Sequence, residues 1–457
     1  MIKKLYQKYR SKDLMTNSMQ SFVMQIFGMA VSFALILFIS RCYNVEILGM
    51  YTIAFVVLQI CGMIGVSGLD SAAVKFVATF KQNEEYNKLN SFFVKSTFYI
   101  ILISLFLSTI LFVFAGFVSD SIMHNPKLKI YLQSTSICIL PYALVSFYTG
   151  FFRGNGNNFL WITFKSVMIP LAYLILLLVV TFIQPNAIVY LSQYYALSVF
   201  VAFFLALAFV YHVFSKEKYT INYFSNISYL LFSEIKKIAF PMFMFSSSLM
   251  LSSWLNTILL GSLGTTKDIG IYRVLERISA LSFLTLQAVN SVIAPKIAAS
   301  FAQKNLHQLK KHVFQSIELV FWSSLPIQIL LILFATFILG FFGNDFVLGK
   351  NALYIIMAAQ IINSMCGPVA QILTMTSFQK YVRNISFFTL AISAIIGYIT
   401  IPKMGLIGAA LSIFANVAIF NILLVFKVKK EFDFWTIYNP TNRLKKIVQS
   451  KGFLKTK

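Results

Sequence analysis

Acidic residues are what this chain has least of: 14 Asp and Glu stand against 38 Lys and Arg in 457 residues. Charged residues of both signs make up only 11% of the chain, against roughly a quarter in soluble domains, which excludes a charged, water-facing globular surface. Cysteines are few, and Cys42, Cys61, Cys138 and Cys366 form no C-x-x-C pair. A disulfide framework and a thiolate metal site are therefore excluded. The four histidines, His124, His212, His307 and His312, are scattered over different loops. No paired carboxylates and no Ser/His/Asp set emerge, so a membrane-embedded enzyme, such as a polysaccharide polymerase or acyltransferase, has no catalytic constellation to work with. No G-x-x-x-x-G-K-[ST] sequence occurs, which excludes a P-loop ATPase.

Apolar sequence fills the space. Hydrophobic residues make up 58% of the chain and mean hydropathy is +0.78. Runs long enough to cross a bilayer, about 20 residues each, lie at 19–40, 50–69, 97–118, 131–152, 160–183 and 187–211. A second six lie at 238–260, 272–294, 313–341, 351–375, 384–401 and 405–426. The fold expected is all-α: a polytopic membrane protein with twelve transmembrane helices. With the N-terminus in the cytoplasm, only Arg41, Lys127, Lys129, Lys267, Arg273, Arg277, Lys350 and Lys403 fall at or near the outside. The remaining cations all lie inside, so the positive-inside rule places both termini in the cytoplasm. The net charge of +24 orients the chain and meets anionic membrane lipids; no nucleic acid is expected, because no soluble module carries a basic face. The basic lead of span one (Lys3, Lys4, Lys8, Arg10, Lys12) precedes an apolar run too long for a cleaved signal, which reads as a retained anchor.

The chain divides into an N-terminal six-helix bundle (1–211), a cytoplasmic or interfacial linker (212–237), a C-terminal six-helix bundle (238–426) and a basic cytoplasmic tail (427–457). In the linker, Tyr223, Ile227, Leu230 and Leu231 recur at helical spacing, as in a helix lying in the membrane interface; a polar linker fits the same residues. The halves resemble copies. A shift of 221 residues places Gly49 on Gly270, Tyr51 on Tyr272, Ala73 on Ala294, Lys75 on Lys296, Ala78 on Ala299, Phe80 on Phe301 and Gln82 on Gln303. The matches flank spans two and eight, which both run outside to inside, so the repeat is parallel. Its pseudo-two-fold axis is expected along the membrane normal, the arrangement of transporters that rock two halves around a central site.

A charge at membrane depth costs roughly 2.5–3.5 kcal/mol unless it faces water or a partner, so charges inside spans are candidates for function. Arg273, Glu276 and Arg277 share one helix face at the start of span eight, and Glu276 neutralises one of the two guanidinium groups. Headgroup anchoring is the plainer alternative for these three. Lys75 and Lys296 match across the repeat near the inner ends of spans two and eight, either as inner anchors or as a basic pair at an inner gate. Asp70 is placed to pair with Lys75 or to line an inner vestibule. Arg153 begins a tight inner turn, and Lys165 sits inside span five, snorkelling or reaching the lumen. Glu318, inside span nine, is either paired with His312 or Lys311 or is a protonatable group. Cations outnumber acids among these deeper charges, so a central cavity would favour an anion, and arginine suits phosphate through its planar donor fork. Pro141, Pro170, Pro241, Pro295, Pro326, Pro368 and Pro402 mark where helices can bend, with Pro241 and Pro295 as hinge candidates flanking the Arg273 face.

Several short motifs occur in a recognisable order. They are Ser40-Arg41 followed by Glu46-Ile47-Leu48-Gly49-Met50-Tyr51, Gly68-Leu69-Asp70-Ser71-Ala72-Ala73-Val74-Lys75, and Arg153-Gly154. Lys237-Ile238-Ala239-Phe240-Pro241, Asp268-Ile269-Gly270-Ile271-Tyr272-Arg273 and Ala294-Pro295-Lys296 complete them. With them the whole chain resembles an oligosaccharide flippase of the polysaccharide-transporter type, within the multidrug/oligosaccharidyl-lipid/polysaccharide exporter superfamily. The resemblance implies two six-helix bundles around a cation-lined cavity. It also implies transfer of an undecaprenyl-diphosphate-linked glycan of O-antigen or capsular type to the outer leaflet of the bacterial cytoplasmic (inner) membrane. Coupling to a proton or sodium gradient without a bound cofactor is expected, with a polysaccharide polymerase and a chain-length regulator as partners. Arg273, Arg277, Arg41 and Lys165 would hold the diphosphate, with Arg153 nearby, while spans one, two, seven and eight gate. Asn256 stands where relatives often carry an aspartate, which makes it a polar cavity residue rather than a coupling acid. A cation-coupled drug or metabolite exporter of the same superfamily is the alternative, and the absence of any acid between Met15 and Ser40 argues against it.

Overall fold

The computed structural model describes residues 2–183, 191–216 and 229–438. Its helices are α1 (Ile2–Cys42), α2 (Val45–Val66), α3 (Leu69–Gln82), α4 (Tyr86–Phe117), α5 (Leu128–Gly154), α6 (Asn158–Ile162), α7 (Met168–Ile183) and α8 (Leu191–Lys216). They continue as α9 (Tyr229–Leu263), α10 (Thr266–Ala302), α11 (Leu306–Leu333), α12 (Ala335–Gly340), α13 (Lys350–Cys366), α14 (Val369–Met375), α15 (Gln379–Met404) and α16 (Leu406–Phe432). No strand occurs among the described residues. Eleven helices are long and apolar enough to cross a membrane, or twelve when α9, bent by 45° between Ser248 and Met250, is one span. The bend falls past Pro241, which sits inside the helix. The all-α, twelve-span expectation holds, and each apolar run predicted from sequence overlaps one of these helices.

Two expected spans are interrupted. Span nine ends at Leu333, with α12 following after Phe334. Span ten breaks at Gly367 (φ 66), because Pro368 cannot continue the ladder and glycine accepts the left-handed conformation. At the C-terminus, α16 runs six residues beyond the expected boundary at 426. Phe434 then joins a buried cluster with Val313 and Val428, Tyr438 N donates to the Met365 carbonyl at 2.9 Å, and the Tyr438 hydroxyl accepts from Trp322 at 2.6 Å. Residues 427–438 are thus part of the folded body, and the helix predicted over Tyr223–Leu231 lies outside the described residues up to 228.

The chain forms two compact units, Met1–Ser262 and Leu263–Lys457. The break comes one helix later than the 212–237 linker, for a steric reason. α9 packs on the α2–α3 junction so tightly that a side chain on Gly68 (φ 80) would run into the Ala239 carbonyl and lie 2.9 Å from Phe243 N. Trp254 also meets Phe55 edge-on with ring centroids 5.7 Å apart. The core of the first unit is aromatic, with Phe92, Phe147, Phe151, Phe152, Phe164 and Phe214 all fully buried.

The repeat is visible in the helix ends. Asn44 Oδ1 caps α2 by accepting from Ile47 N at 2.9 Å. Thr265, the residue 221 positions on, caps α10 in a reciprocal box with Asp268. Four hairpins expected on the inner face close in the same way. Glu85 N, Asn157 N, Asn305 N and Phe378 N donate to the carbonyls five residues back, of Phe80, Phe152, Ser300 and Leu373, at 2.8–3.0 Å. Before each donor stands a left-handed residue: Glu84 (φ 58), Gly156 (φ 89), Lys304 (φ 54) and Ser377 (φ 74). This is the six-to-one bond of a Schellman motif, satisfying a carbonyl the helix would otherwise leave open. The copies differ in one respect: α2 and α3 are separated by left-handed Ser67 and Gly68, whereas α10 is continuous.

Because Gly156 is left-handed with open space around it, strain rather than contact decides a substitution there. Gly156→Val is expected to lose about 1–2 kcal/mol, while Gly340→Ala, helical and equally open, stays within about 0.5 kcal/mol. Thermal unfolding in detergent checks both.

Candidate functional site

Site geometry in the first unit begins with small residues. Gly150 and Gly154 are one turn apart on α5, a small-xxx-small pair of the kind that lets membrane helices touch backbone to backbone. A side chain on Gly150 would strike the Asp70 carbonyl, and one on Gly154 would come within 2.8 Å of the Ala73 carbonyl. Lys81 Nζ fastens the far end of α3 by donating to Asn155 Oδ1 at 2.6 Å. This contact sets Asp70, in the first turn of α3, beside the α5 face that carries Ser146, Thr149 and Arg153.

Lys165 arrives by a different device. Pro170 has no N–H to give the Ser166 carbonyl, and just upstream the ladder widens into a π turn over Thr163–Val167. Such turns re-aim side chains and recur at functional positions. Lys165 lies in it, and α1 passes so close at Gly28 that an added side chain would be 3.1 Å from the Ser166 carbonyl.

The result is a polar recess of about 250 Å³ lined by Asp70, Tyr142, Arg153, Trp161, Lys165 and neighbouring hydroxyl and amide groups, Gln59 among them. Arg153 Cζ stands 4.1 Å from the Trp161 ring centroid and Lys165 Nζ stands 5.3 Å from it. One indole therefore holds two cations, each contact worth about 0.5–1 kcal/mol where solvent reaches it. Asp70 lies within Coulombic reach of Lys165, and Ser71 lines the recess beside it. Two cations against one carboxylate leave the recess positive. Its size is below the roughly 300–1,000 Å³ of pockets that enclose a drug-sized ligand, so it fits a phosphate-sized anion or one sugar ring.

Three residues singled out from sequence, Asp70, Arg153 and Lys165, thus converge. Asp70 faces Lys165 instead of Lys75, which is exposed on α3. Arg41 is exposed at the end of α1, about 20 Å along that helix from Gly28 at 1.5 Å per residue, and takes no part in the recess. Asn256 is 5% exposed, and its Oδ1 has no hydrogen-bond partner among the described residues. Pro241 is exposed on α9. In the second unit, Arg273 is 2% exposed, and its Nη1 donates to Glu276 Oε2 at 2.6 Å. Arg277 is half-buried one turn on; Pro295 and Lys296 are exposed, and Glu318 is half-buried on α11. Trp161 and Tyr142 were missed by sequence reasoning. Trp161 is four residues before Lys165, the spacing of helical neighbours, and that signal was available. Among the described residues no group of three or more His, Cys, Asp or Glu is placed to hold a metal ion.

Fold and recess together define an all-α polytopic membrane protein of two six-span halves with a positively charged polar recess in the first unit. A family model described as "Polysaccharide biosynthesis protein" matches residues 14–301, and the chain belongs to that family; a second model, MatE, matches residues 238–399. The resemblance read from the motifs therefore holds. The probable low-salt glycan biosynthesis flippase Agl15 of Haloferax volcanii is 23% identical over 172 residues, covering 37% of this chain and 36% of Agl15. The alignment thus spans about a third of that relative's length. Among solved structures, the inward closed lipid II flippase MurJ superposes with a TM-score of 0.72 at 19% identity, covering 92% of this chain and 89% of that one. An inward-facing MATE family multidrug resistance transporter of the MOP superfamily superposes at 0.71 with 13% identity, covering 91% and 98%. At these identities the likeness is one of fold.

The recess depends on α5 lying against α3. Gly150→Leu is expected to separate the two helices and disperse Arg153 and Lys165 from Asp70. A cross-link between cysteines introduced as Asp70→Cys and Lys165→Cys should form with Gly150 in place and be lost when Gly150→Leu is added.

Proposed function

We propose that this chain is a flippase that carries an undecaprenyl-diphosphate-linked oligosaccharide, of O-antigen or capsular type, from the inner to the outer leaflet of the bacterial cytoplasmic membrane by alternating access. The observation that carries this reading is the recess, where Arg153 and Lys165 stand over Trp161 beside a single carboxylate, in a chain of the polysaccharide biosynthesis family. A diphosphate needs cationic, hydrated surroundings, a sugar needs polar groups and an aromatic wall, and the recess offers both at the scale of one such group. The polyprenyl tail can stay in lipid. Agl15 is described as a probable glycan biosynthesis flippase and MurJ as a lipid II flippase, which supports a lipid-linked glycan as cargo.

Asp70 is the acid of the recess, so a proton or sodium ion bound there competes with Lys165 for the carboxylate. Binding of the coupling ion then frees Lys165 for the anion, which links ion movement to cargo movement without ATP. Arg277, with the Arg273–Glu276 pair beside it, supplies a second basic position in the other unit. A polymerase and a chain-length regulator would receive the flipped repeat units. The MatE match favours a second reading, export of a drug or metabolite, but a recess with two cations and one acid repels a cationic drug.

Titration of the purified protein with undecaprenyl-diphosphate glycan tests the proposal. Arg153→Ala/Lys165→Ala and Arg273→Ala/Arg277→Ala are each expected to weaken binding at least tenfold, from about 1.5–3 kcal/mol per hydrogen bond to a charged group. Asp70→Asn should retain binding and lose gradient-driven transport in vesicles. Equal affinity in parent and variants would assign the cations to anchoring, and binding of cationic drugs in place of the glycan would favour the exporter.

A further inference from the structure

A second cavity in the first unit, of about 470 Å³, lies where α9 meets α2, α3 and α4. Its chemistry differs from that of the recess. Ile64, Leu69, Phe92, Phe243 and the Tyr99 ring make apolar walls, and its polar groups are the hydroxyls of Ser67, Ser96 and Tyr99 and two lysines, Lys95 and Lys236. Phe240, at its rim, is 62% exposed.

The register of the lysines is informative. Residues 96–119 carry no charge, and neither do 238–263; each stretch exceeds the about 20 residues that cross the hydrocarbon core. Lys95 and Lys236 therefore stand at the same end of their apolar runs, at headgroup level, on the face that the lysine bias makes cytoplasmic. Both are exposed. A groove with apolar walls below and two ammonium groups at its mouth has the form of a lipid site: acyl chains fill the groove and the phosphate meets the lysines.

We propose that this groove binds one anionic glycerophospholipid of the inner leaflet. The flippase cargo fits less well. A polyprenyl diphosphate carrying sugars needs arginine forks or an array of donors, and apart from the lysines this lining offers the three hydroxyls of Ser67, Ser96 and Tyr99 and no arginine. The groove also borders the Gly68–Ala239 contact, the point at which α9 is held on the first unit. A lipid bound there touches α9 and the α2–α4 group together, so it stabilises that packing. The inference is independent of the transport reading and rests on groove shape, depth and charge.

The test uses the full-length protein in detergent, with lipid retention read by native mass spectrometry and unfolding by melting temperature. Phosphatidylglycerol is expected to bind and raise the melting temperature, while phosphatidylcholine does neither. Lys95→Gln/Lys236→Gln should bind phosphatidylglycerol roughly thirtyfold more weakly, about fivefold for each lysine. Lys88→Gln/Lys311→Gln, exposed lysines on the same face that do not line the groove, should bind like the parent. Because the groove lysines are exposed, the double variant is expected to fold, and its melting temperature without added lipid verifies this; Ala239→Phe, which narrows the groove and keeps the charges, is a second route to lost binding. Equal retention of the two phospholipids, or equal loss in the Lys88/Lys311 control, would overturn the proposal. Displacement of phosphatidylglycerol by undecaprenyl diphosphate would overturn it in favour of a cargo path.

Discussion

In a bilayer, apolar burial between helices gains little, because lipid tails are as apolar as leucine; close approach of backbones has to hold helices together instead. The α3–α5 contact is where the first unit depends on this most. Gly150 and Gly154 admit the carbonyls of Asp70 and Ala73 to distances that no side chain would tolerate. With α5 seated there, Arg153, three residues beyond Gly150, is carried to the edge of α3 where Asp70 begins its first turn. Neither charge is forced into lipid, because each faces the same polar recess. The alternative arrangement, with Asp70 beside Lys75 on one helix, would pair two charges without bringing in Arg153 or Lys165.

Much of this was legible in the sequence, and the remainder failed for identifiable reasons. Apolar run length located every span, since no other feature of a chain this poor in charge competes with it. The repeat was visible as seven identities, and its physical content emerged only with helix ends: Asn44 and Thr265 are different residues doing the same capping. Sequence periodicity offered the Trp161–Lys165 pair but not the α3 and α5 residues that the recess sets against it. Lys165 lies in a π turn that shifts the helix face relative to the rest of the span, so its place against α3 and α5 does not follow from a count of 3.6 residues per turn along the whole run. Pro170 was recorded as a bend marker, yet its effect falls four residues earlier, on the Ser166 carbonyl. Arg273 and Arg277 were correctly placed on one face with Glu276, but spacing cannot tell a guanidinium facing a cavity from one 2% exposed and closed by its own helix.

That distinction bears on how the two halves divide labour. Arg273 is already hydrogen-bonded to Glu276 and nearly sealed, so engaging an external anion would require the pair to open, at a desolvation penalty. Arg153 and Lys165 share the Trp161 face, with Asp70 as the single acid of the recess, a looser arrangement than the 2.6 Å Arg273–Glu276 pair. A duplicated frame, with the same Schellman closure at four hairpins, thus supports different chemistry in its two copies. The break at Ser67–Gly68 is part of the same difference. It restarts the helix at Leu69, putting Asp70 in a first turn where unsatisfied N–H groups favour a carboxylate, whereas the continuous α10 offers no second start at the corresponding point. Only the first copy therefore sets its acid in a fresh first turn, beside basic residues that come from other helices. The acid of the second copy, Glu276, lies within a continuous helix and is taken up by Arg273 of that same helix.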